Sequence, residues 1–246
     1  MSGDLYPVAG CRIFIGLPIA LKSIDYVQAD FSAVDSPNWK EIDGWSQMGA
    51  IGDSAALITS SLINRGRDIK QKGTANAGSM ANVFAVIRSD VGQTALRYAA
   101  RGRNKTNYEF RIDLNDFEEL SSAVTITIAD PGVISWAAHT LQDGDKVSFE
   151  TTGDLPTGLT AGTEYFVVDS GAGVFSVALT DGGAAIETTG TQSGTHTAFA
   201  TTQPSRLMFA AVAMGAQEQG GEANSIRNLN ATLEINSNIV DVDNDA

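Results

Sequence analysis

Residues 83–87 read Val-Phe-Ala-Val-Ile, the almost unbroken apolar run of a strand buried on both faces. Asp90 follows, and its carboxylate suits the N-cap of a helix because it accepts orphan backbone N–H groups. Val91, Ala95, Tyr98 and Ala99 then recur at helical spacing, so one stripe is expected to pack on a sheet. Gly102 ends the helix beside Arg97, Arg101 and Arg103, cations that suit the negative end of its dipole. Residues 108–114 alternate apolar and polar, the pattern of a half-exposed strand. This strand–helix–strand unit stands in a chain with little other helical pattern.

The rest of the chain reads as β-structure. Residues 12–16 and 19–27 have strand character, with a turn expected at Gly16-Leu-Pro18. Residues 28–53 are irregular, and Trp39, Trp45 and Met48 sit there among Pro, Asp and Gly. Large apolar groups on a loop are either tucked beneath it or left for a partner. Residues 54–63 and 67–72 read as two more strands, and 70–79 as a small, flexible tip. Arg65, Arg67, Lys70 and Lys72 make this the most basic stretch of the chain. It is either a solvated hairpin tip or an arm that pairs with an acidic surface on a neighbouring copy.

At Ser121 charged residues thin out and Thr, Gly and Ala dominate. Short strands are expected at 124–128, 133–136, 146–150, 164–168 and 174–179, with Gly- and Asp-rich turns between them. After Pro204 the composition reverts to that of the first 120 residues, with a buried strand at 206–213, a Gly-rich loop at 217–224 and a last strand at 225–235. The predicted fold is mainly β with one flanking α-helix. Residues 121–203 form a small all-β domain inserted into a discontinuous domain of 1–120 plus 204–246.

Charge sharpens this division. The 246 residues carry a formal charge of -13, of which 121–203 contribute one basic and nine acidic groups. That balance opposes attractive binding to nucleic acid, which needs Lys and Arg against phosphates. It is compatible with a surface that DNA slides past. The lone Cys11 permits no intrachain disulfide and reads as a small buried apolar residue. No apolar run reaches the ~20 residues of a membrane helix, and the N-terminus has no secretory pattern.

No chemistry-bearing constellation emerges. His139 and His196 lie far apart with no Cys nearby, where zinc wants three or four ligands; each reads as a strand-end hydrogen-bonding group. Asp241-Val-Asp243-Asn-Asp245 opens like a calcium loop but lacks its Gly and its bidentate Glu, and reads as an acidic disordered tail. Phosphate-loop, dinucleotide and nucleophile-elbow patterns are missing. No catalytic, cofactor-binding or metal residue is assigned, and the chain is not expected to be an enzyme.

Two segments carry a resemblance. Ser89-Asp-Val-Gly-Gln-Thr-Ala-Leu-Arg-Tyr-Ala99, between a strand and an alternating strand, resembles the Asp-x-Gly-Gln helix of the major tail tube proteins of long-tailed, siphophage-like bacteriophages. The likeness extends loosely over 1–120 and 204–246. The stretch from His139 to Gly153, with Leu155-Pro-Thr-Gly-Leu-Thr-Ala-Gly-Thr-Glu-Tyr-Phe-Val-Val168, is similar to a β-module that recurs in phage virion proteins. The resemblance implies a tail-tube-like β-sandwich or barrel. Its copies form rings of six that stack into a tube conducting DNA without specific binding, and an Ig-like insert decorates the outside. It further implies tape-measure and tail terminator or tip proteins as partners, no membrane, no cofactor, and a place in the virion after synthesis in the host cytoplasm. Trp39, Trp45, Arg65, Arg67, Lys70, Lys72, Gly73 and Asn76 are the candidate self-assembly residues. Two rival readings stand beside this one. In the first, 121–203 is a carbohydrate- or host-surface-binding module using its aromatics. In the second, the chain is another stacked ring component, such as a sheath, terminator or head decoration protein.

Overall fold

The computed structural model describes residues 6–242. Asp243 to Asp245 of the expected acidic tail lie outside them. The chain divides into two units, 6–115 with 206–242 and 116–205. The insert therefore begins and ends a few residues outside the expected 121–203. Its first strand starts at Glu119, where Leu120, Ser121, Ser122 and Ala123 already pair.

The first unit opens with β1 (Arg12–Pro18), β2 (Lys40–Glu41), β3 (Trp45–Gln47), β4 (Ser54–Ser60), β5 (Ile69–Asn76) and β6 (Ser79–Ala85). The helix α1 (Val91–Ala99) and β7 (Tyr108–Asp113) follow. After the insert, which holds the six strands between, come β14 (Arg206–Gln219), β15 (Asn228–Ile235) and β16 (Val240–Val242). The antiparallel sheet of this unit runs β2-β1-β7-β14-β15-β6-β3 and curves as a half-barrel, with β16 beside the start of β14. Residues 19–27, expected as a strand, form none. Gly16-Leu-Pro18, expected as a turn, belongs to a bulged β1. A side chain at Gly16 would meet Glu109, so the backbone passes there without one. Asp241 and Val242, expected in the disordered tail, pair with β14.

One face of the sheet holds the main core. Phe110 on β7 and Phe209 on β14 are directly opposite and stack at 5.7 Å. Ile13, Ile15, Ile112, Ala211, Leu229 and Leu233 join them, and α1 closes the layer with Leu96 and Ala99. Asp90 caps α1 as expected, accepting from Gln93 N at 2.6 Å. The buried stripe, however, is Gly92, Gln93, Leu96 and Ala99, while Val91 and Tyr98 face outward. The cause is residues 40–47, which cross from β2 at one rim to β3 at the other and pass against the first turn of α1. Gln93 fastens that crossing. Its Nε2 donates to Asp43 O (2.9 Å) and Ala85 O (2.7 Å), and its Oε1 accepts from Ile87 N (3.1 Å).

The opposite face of β7 carries Glu109, Arg111 and Asp113. These were expected to face solvent, yet all are buried, because residues 19–39 fold over them. Glu109 accepts from Leu17 N (2.7 Å), Ser32 N (2.8 Å) and Ser32 Oγ (2.5 Å). Arg111 donates to Val34 O (2.7 Å), packs over Phe14 and Trp39, and pairs with Asp113 at 2.7 Å. Arg206 lies 3.7 Å from the same carboxylate. Burial pushes the Asp113 carboxyl above its ordinary range, and its arginine neighbours pull it back only in part.

This cluster gives a signed prediction. In R111M the Asp113 carboxyl loses its nearest cation, so its folded pKa climbs further above the unfolded value of 3.8. The resulting penalty is full at neutral pH and falls away as pH drops toward the unfolded value. R111M is expected to cost about 3 kcal/mol at neutral pH and measurably less at mildly acid pH. Urea unfolding at several pH values checks this, and a penalty that grows on acidification contradicts it.

The second unit contains β8 (Glu119–Ile126), β9 (Ile134–Ser135), β10 (Lys146–Thr151), β11 (Glu164–Gly171), β12 (Val174–Ala178) and β13 (His196–Thr201). They close in the order β10-β11-β12-β9-β8-β13. This is a six-stranded barrel, so the small all-β domain expected here closes on itself. Phe149, Tyr165, Val167, Phe175, Ile134 and Ala198 fill it.

Candidate self-assembly surface

β4 and β5 form a two-stranded ribbon apart from the main sheet. Ser54 pairs with Asn76 and Ser60 with Ile69, with a bulge between Ala55 and Leu57. The tip is 61–68, where Ser61 Oγ donates to Asp68 Oδ1 at 2.6 Å. The expected flexible tip at 70–79 is thus corrected. Lys70 to Asn76 lie in β5, Ala77 is buried and β6 begins at Ser79. Small residues such as Gly73, Thr74 and Ala75 have the composition of a loop, but the backbone ladder with β4 holds them extended. A side chain at Gly73 would crowd Ala56 O and Ile58.

Among the described residues, nothing covers the ribbon. Every residue of β4 is exposed, and of β5 only Ile69 and Gly73 are partly buried. Leu57 and Ile58 are neighbours in sequence, so they point to opposite faces, and they are 66% and 49% exposed. Leu62 and Ile63 at the tip are exposed as well. Arg65, Arg67, Lys70 and Lys72 add four cations. A lone two-stranded hairpin is marginal in water, and exposed apolar groups on both faces mark an interaction site.

Six of the eight candidate residues are therefore gathered on one ribbon: Arg65, Arg67, Lys70, Lys72, Gly73 and Asn76. Trp39 and Trp45 are not, and neither stands free. Trp39 is half-buried over Arg111 and donates its Nε1–H to Ala33 O (2.9 Å). Trp45 stacks on Phe84 and donates to Asn82 Oδ1 (3.1 Å), pinning β3 to β6. Both are tucked groups that fix loops to the sheet. Leu57, Ile58, Leu62 and Ile63 were missed as site residues. The signal was there, since two adjacent apolar residues of one strand point to opposite faces and cannot both face one core.

The rims of the half-barrel are thinly covered. β2 pairs only with Phe14 and Ile15, and β3 only with Val83 and Phe84. β14 has a second strand neighbour only as far as Ala211, although it runs to Gln219. Unpaired strand edges are templates for other chains.

In the second unit, Trp136, Phe149, Tyr165 and Phe175 lie in the core. Phe166 is partly buried and Phe199 is 42% exposed. His196 bonds Thr151 Oγ1 (2.8 Å) and Gln192 Oε1 (3.0 Å) at the start of β13. The His139 ring packs edge-on against Phe175, and its Nδ1 accepts from Leu141 N. Cys11, expected to be buried, is half-buried with its Sγ near Pro7 O. Among the described residues no group of three His, Cys, Asp or Glu is placed to hold a metal, and no helix is long and apolar enough to cross a membrane. No protein-family model matches the chain, and no curated protein matches it either.

Proposed function

We propose that the chain is a structural subunit of a bacteriophage tail tube, whose copies close into rings that stack into a hollow cylinder for DNA. The observation that carries this is the β4–β5 ribbon, with exposed apolar groups on both faces, cationic, and uncovered by the other described residues. Residues 1–115 with 206–242 hold fifteen basic and fifteen acidic groups, while 116–205 hold one basic and twelve acidic. A basic ribbon in so acidic a chain finds its complement on another copy. The sparsely paired rims supply strand edges that ring closure completes. The unit that would form the tube carries no net positive charge to hold DNA, so DNA passes without adhering. Tape-measure and terminator or tip proteins belong to the same reading.

Negative-stain microscopy and sedimentation of the purified full chain test it. The expected result is hollow tubes of uniform width that form as concentration rises. A chain that stays monomeric at the highest concentration it tolerates overturns the proposal.

A further inference from the structure

We propose that Arg88, Arg97 and Arg227, gathered around Glu218, form a docking surface for carboxylates of a second copy of this chain. This rests on the self-assembly of the chain into tubes. Glu218 lies near the end of β14. Arg88 Nη2 donates to its Oε2 (2.9 Å), Arg97 Nη1 from α1 reaches Oε1 (2.7 Å), and Arg227 Nη1 stands 3.8 Å from Oε2. One carboxylate thus faces three guanidiniums, each with five N–H donors in a planar fork. It neutralises one of the three charges and can saturate few of the donors. The Arg97 Nη2 atom is buried and finds no acceptor among the described residues. The side chains of Arg88 and Arg227 are 64% and 59% exposed, so their free donors point to solvent.

The surroundings fit a protein partner. Ile226, adjacent to Arg227, and Val91, on the first turn of α1, are exposed apolar residues. Exposed Arg with large apolar groups is the composition of an interface. Glu218 already occupies the centre of the cluster, which leaves two exposed guanidiniums; these suit carboxylates spread over a surface. The chain offers many, since 116–205 alone carry twelve acidic groups against one basic. Charge complementarity therefore selects another copy as the occupant.

The test compares full-length wild type with R88Q/R227Q and R88E/R227E over a series of salt concentrations, reading the concentration at which half of the chain has assembled. Near-ultraviolet circular dichroism confirms that each variant stays folded. Wild type is expected to assemble less readily as salt rises. R88Q/R227Q is expected to need about tenfold more protein, the size of two exposed ion pairs, and R88E/R227E more again. Unchanged assembly in both variants, with wild-type tubes present, overturns this surface alone. Wild type that forms no tubes overturns the proposed function and this surface with it. Wild-type binding to a short DNA duplex that is lost in the variants, with assembly unaffected, overturns it in favour of a phosphate site.

Discussion

Replacing residues 55–75 by Asn-Gly is expected to leave a folded, soluble monomer that forms no tubes. Ser54 and Asn76 are directly opposite in the ribbon, so a two-residue type I′ turn joins them without strain. No residue of 55–75 belongs to a hydrophobic core cluster, so the melting temperature is expected to stay within about 2 °C of wild type. Assembly loses far more. Leu57, Ile58, Leu62 and Ile63 each contribute about 1.5–3 kcal/mol if fully buried at a contact. The sum is an upper bound of roughly 6–12 kcal/mol per subunit before ordering costs, and even half of the lower figure shifts an association constant about a hundredfold. The four cations contribute less, at about 0–1 kcal/mol per exposed pair. L62S/I63S is accordingly expected to weaken assembly more than R65Q/R67Q. Sedimentation velocity and microscopy on the three variants read these effects. Normal tubes from the excised chain would remove the ribbon from the assembly mechanism.

How far such a surface was legible depends on which signals are local. The N-cap at Asp90, the end of α1 before Gly102 and the change of composition between the two units are local, and the fold class followed from them. The burial of β7 was not. Its alternation of Tyr108, Phe110 and Ile112 with Glu109, Arg111 and Asp113 says that two faces differ, but not what lies over the second. The cover is supplied from residues 19–39, and it meets Glu109 and Arg111 through Ser32 and the Val34 carbonyl, while its apolar groups are scattered over an irregular segment with no period to announce them. The strand at 79–85 shows the converse. The apolar run at 83–87 reads as buried on both faces, yet β6 ends at Ala85 and only Phe84 of that run is fully enclosed. The tryptophans were ambiguous because a loop position does not reveal whether the ring or the backbone faces inward. Asn82 and Ala33 decide it, and both are partners remote from any pattern.

Gly92→Ala is expected to destabilise the first unit by about 4 kcal/mol, lowering its melting temperature by roughly 8–16 °C at about 2–4 °C per kcal/mol. Helix propensity alone predicts the opposite sign, because Ala stabilises a helix position over Gly by about 1 kcal/mol. The deciding fact is the crossing of 40–47 over the first turn of α1. A Cβ at position 92 would overlap Glu41 O and lie 2.8 Å from Ile42 Cα. Both are main-chain atoms, so no rotamer change relieves the contact. The crossing must lift, exposing Ile42, which is 1% accessible, and drawing Asp43 O away from Gln93. It also carries β2 and β3, so both rims of the half-barrel lose their caps together. The Gly-Gln pair in α1 therefore serves one mechanical purpose: Gly92 lets the crossing approach and Gln93 holds it there. Calorimetry separates this from general damage, since the transition of the 116–205 barrel is expected to stay in place while that of the first unit falls. A G92A chain that melts at or above wild type would show that propensity outweighs the contact and that the crossing does not lie against the helix.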